Sequence, residues 1–328
     1  FNFGFFRNIQ KKFLQKKLKD NKVEITFLDH HSCHAAYSYY SSKKRINNSA
    51  IITLDSEGDG LNQTVWIIKN NSMKKISQSS QCDIGRVYKL TTLFLGMKPD
   101  EHEYKVMGMA PYAKGNYSIE VFNKVYKDLL KVKGLKIIHN KRPKDLYSYL
   151  KEKNAQYRFD NISGGVQIFV ESLATKLIKN IYKKFKIKNY YITGGVSMNI
   201  KMNKSIKDLP FVKNLIVQPS GADESLSMGG CFFVKKESSK PITQFYLGRD
   251  LYDGINKKDF FKKIKKNKNF KLFEKFSHNE LAKLLSKGNI IAVARGREEF
   301  GARALGNRSI IADPSKIENI QRINEYIK

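Results

Sequence analysis

Cysteine, arginine and long apolar runs are all scarce in this 328-residue chain, and each scarcity excludes something. The cysteines are three, Cys33, Cys82 and Cys231. Odd in number and without Cys-x-x-Cys spacing, they argue against a disulfide framework or a structural zinc site and suit a reducing cytoplasm. No apolar run reaches the roughly 18 residues of a membrane span. The opening Phe1–Phe6 is too short and wrongly flanked for a signal peptide, so no membrane partner is expected. Acidic residues number 30 against 61 Lys and Arg, a formal charge of +31. That excess raises nucleic acid as a partner. The lysines, however, are spread over every segment among many asparagines, with no basic face interleaved with aromatics. The charge therefore reads as solvated surface, and no nucleic-acid partner is expected.

What is present indicates an α/β protein with room for two domains. Ile51–Asp55 and Thr64–Ile68 read as strands joined by the turn-rich Ser56–Gly60. Ser163–Phe185 has a long helical pattern, followed by the strand Tyr190–Thr193 and the turn Gly194-Gly195. Leu215–Val217 reads as a short buried strand and Glu224–Val234 as the helix after it. Residues 112–160, lysine-rich and weakly periodic, read as a helical insertion. Lys235–Pro241 interrupts the pattern as a linker, giving domains 1–236 and 237–328. Beyond it, Ser277 and Glu280 have capping-box spacing at the head of a helix. There is no internal repeat.

Of only 11 arginines, four lie in Arg295–Ser309 (Arg295, Arg297, Arg303, Arg308), interspersed with Gly296, Gly301 and Gly306. Arginine forks recognise carboxylate or phosphate, and glycines let backbone N–H groups approach an anion. A basic surface loop has the same composition. The apolar run Asn289–Ala294 before it reads as a buried strand, and a buried strand feeding a Gly-rich loop is where α/β folds place ligands.

Half of the six histidines fall in His30-His31-Ser32-Cys33-His34. On a helix, His30 and His34 share a face one turn apart, with His31 roughly 60° away. His-x3-His suits a divalent metal, although a lone histidine is as readily a satisfied core residue. Two imidazoles are an incomplete shell; Asp55, at a strand end, and Asp223, in a turn, are candidate carboxylates, and each would equally serve as a cap. The Gly-containing turns Asp55–Gly60 and Thr193–Asn199 follow strands, as phosphate-holding turns do.

Taken in order, His-His-x-x-His-Ala-Ala, Glu-x-Lys-Val-Met-Gly-x-Ala-Pro-Tyr at 103–112, Gly-Gly-Val-x-x-Asn at 194–199 and Glu-Phe-Gly-x-Arg-Ala-Leu-Gly-Asn-Arg-Ser-Ile at 299–310 resemble the NodU/CmcH family of O-carbamoyltransferases. The motifs span residues 29 to 314. The resemblance implies an actin-like ATPase fold for the N-terminal domain, similar to the threonylcarbamoyl-transfer proteins of tRNA modification. It implies an α/β YrdC-like C-terminal domain, incomplete here. The latter would make carbamoyl-adenylate from carbamoyl phosphate, the co-substrate, and ATP; the former would move the carbamoyl group to a sugar or secondary-metabolite hydroxyl beside a bound iron. His30, His34, Asp55 and Asp223 would hold the metal, with His31 as general base or carbamoyl contact. Gly194, Gly195, Asn199 and Lys105 would lie along the nucleotide, and Arg303 and Arg308 would belong to the adenylate-forming site. A homodimer is compatible with this picture.

The departures are specific. Ala302 stands where the family usually has Pro, Ser56 replaces Gly after Asp55, and Glu224-Ser225 follow Asp223 where a more glycine-rich turn is typical. Relatives carry an opening strand pair before the His motif and roughly another hundred residues after the Arg motif, so the chain is expected to be the middle of a longer enzyme and inactive alone. Two other functions compete. An actin-fold phosphotransferase would use carboxylate-bound magnesium and have no need of the histidines; a tRNA-handling relative of the threonylcarbamoyl proteins would bind RNA with steep salt dependence.

Overall fold

The computed structural model describes residues 3–19, 22–266, 268–269 and 277–326. They divide into two compact units, Phe1–Ile242 and Thr243–Lys328. The first unit runs α1 (Phe3–Leu18), α2 (His30–Tyr40), β1 (Ser49–Gly58), β2 (Leu61–Lys69), β3 (Ser72–Ser79), α3 (Ile84–Phe94), α4 (Glu103–Met109), α5 (Tyr117–Val121), β4 (Leu130–Lys133), β5 (Lys136–His139), α6 (Leu146–Asn154), α7 (Phe159–Phe185), β6 (Asn189–Thr193), α8 (Ile200–Lys207), β7 (Asn214–Val217) and α9 (Leu226–Lys235). The second contains α10 (Lys257–Lys266), α11 (His278–Ser286), β8 (Ile291–Ala294), β9 (Arg308–Ile311) and α12 (Ile317–Tyr326). Among the described residues no helix is long and apolar enough to cross a membrane.

The first unit is built on a five-stranded sheet of order β3-β2-β1-β6-β7. β1, β2 and β3 form an antiparallel meander, while β6 and β7 continue the sheet parallel to β1. Both meander turns have two residues at positive φ, Asp59-Gly60 and Asn70-Asn71. That is the type I′ geometry that matches strand twist, and Asp, Asn and Gly are the residues that adopt it without strain.

β1 is buried on both faces. Ala50, Ile52 and Leu54 enter the large core beneath α3 and α7, while Ile51 joins Ala35, Ala36, Tyr39, Trp66, Ile68 and Tyr191 in a second core under α2. Side chains alternate along a strand, so Thr53 and Asp55 fall on the Ile51 side, facing α2. Burial of each large apolar side chain in these cores is worth about 1.5–3 kcal/mol.

The structure corrects three details of the sequence reading. β3 was not expected, because Ser72–Ser79 is too polar to announce a strand. The segment 112–160 is not wholly helical: it carries the β4–β5 hairpin, tied to the main sheet where the Gln63 amide bonds Leu135 O at 2.9 Å and Gln63 Oε1 accepts from Ile137 N at 2.8 Å. In the second unit Ile291–Ala294 is a strand, but a one-sided one. It pairs with β9, with Ile291 and Val293 half-buried and Ala292 and Ala294 exposed. The capping box at Ser277 and Glu280 is present at the head of α11.

α2 and α9 pack closely because of Gly229: a Cβ there would lie 2.2 Å from the carbonyl oxygen of Cys33. Backbone cannot swing aside as a side chain can. Gly229→Ala is therefore expected to destabilise the unit by about 1–3 kcal/mol through overpacking, read as a lower urea midpoint. An unchanged midpoint would mean that the helices separate freely and that their closeness is not required.

Candidate metal centre

Four side chains converge at the carboxyl ends of the parallel strands. Asp55 ends the buried run of β1; His30 and His34 stand one turn apart at the start of α2; Asp223 follows β7 in a 3-10 turn leading into α9. Their ligand atoms all lie within 4.8 Å of one another. His34 Nε2 is 3.1 Å from His30 Nε2, 3.1 Å from Asp55 Oδ2 and 3.4 Å from Asp223 Oδ1. His30 Nε2 is 3.6 Å from Asp55 Oδ2 and 3.5 Å from Asp223 Oδ1. Around an ion with bonds of about 2.1 Å, tetrahedral ligands sit roughly 3.4 Å apart and cis-octahedral ones roughly 3.0 Å. Three of the five separations fall in that range and the other two, 3.5 and 3.6 Å, lie just above it, so these residues fit a divalent cation.

The electrostatics agree. Burial alone would raise the Asp55 carboxyl, but hydrogen bonding to His30 and His34 outweighs it and holds the group well below the usual carboxylate range. Burial would likewise lower His34, yet its bonds to Asp223 and Asp55 raise it. Two carboxylates against two imidazoles leave the cluster two negative charges when both rings are neutral, and it draws positive charge, a proton or a metal. His34 Nδ1 is buried without a hydrogen-bond partner among the described residues, so its Nε2 edge alone makes polar contacts. Asp223 is 65% exposed, against 13% or less for the other three, and marks the open side.

Each ligand is fixed by its surroundings. Asp29 caps α2, accepting from the Ser32 amide at 2.8 Å and the Ser32 hydroxyl at 2.7 Å. Asp59 in the β1–β2 turn accepts the His30 amide at 2.9 Å. Gly58 matters here: a Cβ on it would lie 2.2 Å from the His30 ring. Asp55 accepts from the amides of Ser56 at 2.7 Å and Gly195 at 3.1 Å. Gly194, at φ +87°, leaves no room for a side chain, since a Cβ would meet Leu54 O at 2.3 Å. Its amide bonds Gly221 O at 2.9 Å, and Tyr37 donates to Pro219 O, tying the Asp223 loop to β6 and α2.

The remaining sequence candidates are placed as follows. His31 turns into the sheet and is fully buried. Its Nε2 lies 3.0 Å from Leu61 O, a pure acceptor, so that nitrogen carries the hydrogen. Burial lowers the ring's pKa, and the neutral ring then accepts at Nδ1 from Thr53 Oγ1 at 2.7 Å. Trp66 Nε1, which can only donate, is 2.8 Å from Thr64 Oγ1, itself 2.6 Å from Thr53 Oγ1. A one-way chain Trp66→Thr64→Thr53→His31→Leu61 satisfies every member. His31 was expected as general base or carbamoyl contact; in the structure both of its ring nitrogens have hydrogen-bond partners on the sheet side. Asn199 caps α8, accepting from Met202 N at 2.9 Å, and exchanges amide bonds with Gln167 at 2.9 and 3.0 Å. Lys105 is half-buried on α4.

The second unit holds the arginine segment, and there the anion is internal. Glu299 Oε1 accepts from the amides of Leu305 at 3.0 Å, Asn307 at 2.6 Å and Arg308 at 2.9 Å. Those bonds, Arg308's first, pull its carboxyl down to about 2. Arg308 donates to the carbonyls of Arg295 at 2.9 Å, Gly296 at 3.2 Å and Asn307 at 3.0 Å; Arg297 donates to Leu247 at 2.8 Å and Gly248 at 2.9 Å. Arg303 is exposed on the loop between Gly301 and Gly306, at φ +106° and +100°. Gly58, Asp59, Gly229 and Glu299 were missed as shaping residues; only the Asp-Gly pair had a sequence signal, as a turn.

The family description Carbamoyltransferase N-terminus matches residues 4–232, and Carbamoyltransferase C-terminus matches 282–328. The chain belongs to the carbamoyltransferase family. An uncharacterized protein of Methanocaldococcus jannaschii is 30% identical over 99% of this chain and 58% of its own length. The chain thus spans about half the length of the curated relatives it matches over most of its own. A 3'-hydroxymethylcephem-O-carbamoyltransferase of Amycolatopsis lactamdurans is 27% identical over 41% of this chain and 25% of that protein. Among solved structures, full-length HypF in its phosphate- and nucleotide-bound form aligns at TM-score 0.41 and 12% identity, covering 69% of this chain and 38% of that one.

Two outcomes are expected. The chain should bind one equivalent of a divalent cation and His34→Ala should lose nearly all of it; equal metal content by elemental analysis would remove the site. Glu299 has a depressed pKa, so its hold on the loop is full above 4.5 and fades as pH falls towards 2. Glu299→Gln should speed hydrogen exchange at the Leu305, Asn307 and Arg308 amides at neutral pH, leaving first-unit amides unchanged. Unaltered exchange at those three would mean that the carboxylate does not organise the loop.

Proposed function

We propose that the protein is a metal-assisted O-carbamoyltransferase acting on the hydroxyl of a small molecule, a sugar or secondary metabolite. The observation that carries it is the convergence of His30, His34, Asp55 and Asp223 where β1, β6 and β7 end, in a chain of this family. The similarity to a cephem O-carbamoyltransferase supports a hydroxyl acceptor. Carbamoyl phosphate and ATP are the co-substrates: carbamate released from carbamoyl phosphate with water displaces pyrophosphate from ATP, and the carbamoyl-adenylate formed passes its carbamoyl group to the acceptor hydroxyl, whose proton is lost, and releases AMP.

His30, His34, Asp55 and Asp223 would hold a divalent cation, iron in this proposal, which would supply Lewis-acid polarisation of the carbamoyl carbonyl and a lowered pKa for a bound hydroxyl. The chain's own residues do the rest. Hydrogen bonding to His30 and His34 keeps Asp55 ionised, the Gly195 and Ser56 amides aim it, and the one-turn spacing keeps the two imidazoles on one face of α2. Asp223, on the exposed side, stands where acceptor and donor enter. Gly194 and Gly195 let backbone approach a nucleotide, with Lys105 a cation for its phosphates. His31 anchors α2 to β1 through its hydrogen-bond chain and acts on the reaction only through the position of its neighbours. Arg303 grips the activated carboxyl or phosphoryl group, while Arg308 shapes the loop that presents it.

Arg303→Lys keeps the charge and loses the fork. Removing one charge-assisted contact that tightens in the transition state costs about 2–4 kcal/mol, or roughly 10²–10³ in rate. In the full-length protein, carbamoyl-phosphate-dependent release of pyrophosphate from ATP should fall by that factor, while transfer from supplied carbamoyl-adenylate stays nearly intact. A normal rate of adenylate formation would assign Arg303 to the loop's architecture instead.

A further inference from the structure

We propose that Tyr37 is a positioning residue of the metal centre: its phenol holds the loop that delivers Asp223, so the affinity for the cation depends on a hydroxyl outside the ligand set. The inference rests on the reading of His30, His34, Asp55 and Asp223 as a divalent-cation site. It adds the residue that decides whether the fourth of them is in place.

With 3.6 residues per helical turn, His30, His34 and Tyr37 of α2 fall within roughly 60° on one face. The two imidazoles meet the carboxylates of Asp55 and Asp223. Tyr37, one turn further on, donates its hydroxyl to Pro219 O, at the head of the loop that leads to Asp223. Its ring is fully buried yet belongs to neither apolar core, whereas its neighbours Ala35, Ala36, Tyr39 and Tyr40 all pack in the one beneath α2. Burial, and after it the charge of Glu224, pushes the phenol's pKa upward, so the group stays a donor across neutral pH.

Asp223 needs such a hold more than its partners do. His30 and His34 stand on a helix and Asp55 on a buried strand, but Asp223 comes from a loop and is 65% exposed. Two carbonyls tie that loop down: Pro219 O to Tyr37, and Gly221 O to the Gly194 amide at 2.9 Å and to Thr193 Oγ1 at 3.4 Å. Between the two ties Ser220 has φ +58°, in the left-handed region that a residue with a Cβ rarely adopts. A residue held there persists because its surroundings over-determine it. Without the phenol bond the loop keeps one tie, Ser220 is free to relax, and the segment can turn about Gly221, carrying Asp223 with it. Metal bonds tolerate about 0.2 Å, so a small turn withdraws this ligand.

The test is titration of the 328-residue chain with Co²⁺, which neighbours Fe²⁺ in the affinity order of divalent metals, against a competing chelator. Wild type is compared with Tyr37→Phe, Asp223→Ala and the double variant. Tyr37→Phe keeps the ring and removes the hydroxyl alone; circular dichroism and the urea midpoint check the fold. Loss of an outer-shell partner lowers metal affinity by about 10–100-fold. Tyr37→Phe should therefore bind Co²⁺ at least about tenfold more weakly than wild type, and its visible Co²⁺ absorption should move to that of Asp223→Ala. In the Asp223→Ala background the loss of the hydroxyl should change affinity no further, because it acts through that ligand alone. A tyrosine with a merely structural role would weaken binding equally in both backgrounds; that result overturns the proposal, as does wild-type affinity in Tyr37→Phe. Asp223→Ala binding as tightly as wild type removes the fourth ligand and this inference together, and leaves a three-residue site. No binding of Co²⁺ by wild type sinks the metal centre and the transfer reading as well, whereas tight binding indifferent to Tyr37 sinks the present inference and leaves both standing.

Discussion

The parallel pairing of β1 with β6 is the constraint on which the rest depends. It sets Ile51 beside Tyr191 and Thr53 beside Thr193, where the ladder shared by the two strands ends. Just past that common end Asp55 meets the Gly195 amide at 3.1 Å, across 140 positions of sequence. The carboxylate would be costly to bury at such a place without a partner. The backbone donor from the neighbouring strand and the imidazoles from α2 supply what its burial demands. Since β1 alternates, the same register that sends Ala50, Ile52 and Leu54 into one core sends Asp55 towards α2. Slipping β1 by one residue would exchange the two faces and take the ligand away from the histidines.

Close approach is the second requirement, and it is met by leaving side chains out. Gly58 lies against the His30 ring, Gly194 against the Leu54 carbonyl, and Gly229 against Cys33. These three come from the end of β1, a strand–helix turn and the middle of a helix, and each lies against a residue of the metal cluster or one next to it. Glycine is usually unfavourable in a helix interior by about 1 kcal/mol; at 229 that cost is offset by bringing α9, and with it the Asp223 turn, up to α2.

The sequence made the parts with strong local signals legible. His30 and His34 at one-turn spacing, the strand ending in Asp55 and the Gly194-Gly195 turn were readable because helix period, β-branched runs and glycine are local properties. The sharing of Asp55 and Asp223 between the histidines was legible only through resemblance, because the strand register that unites them is non-local. Polar β3 escaped for lack of apolar alternation, although Asn70-Asn71 carried a turn signal. The hydrogen-bond partners of His31 could not be read at all. Its adjacency to His30 suggested chemistry, whereas its partners Thr53, Thr64 and Trp66 belong to other strands, and only the sheet's register brings their hydroxyls and indole into line.

Arginine and lysine divide the labour of the positive charge. The density of arginine at 295–308 was read as planar forks for a carboxylate or phosphate, whereas in the structure most of those forks meet backbone carbonyls. Arg295, Arg297 and Arg308 donate to backbone oxygens, as Arg45 does in the first unit, where it joins Tyr40 O at 3.2 Å to Ser239 O at 2.6 Å. A carbonyl is a weaker acceptor than a phosphate, yet several held in one rigid fork fix a loop that has no secondary structure of its own. Glu299 completes the arrangement by occupying the N–H cradle that glycine-rich turns offer to anions. The loop thus draws its anion and its clips from within the chain itself, and Arg303 is carried between Gly301 and Gly306 on the turn that these contacts tie down.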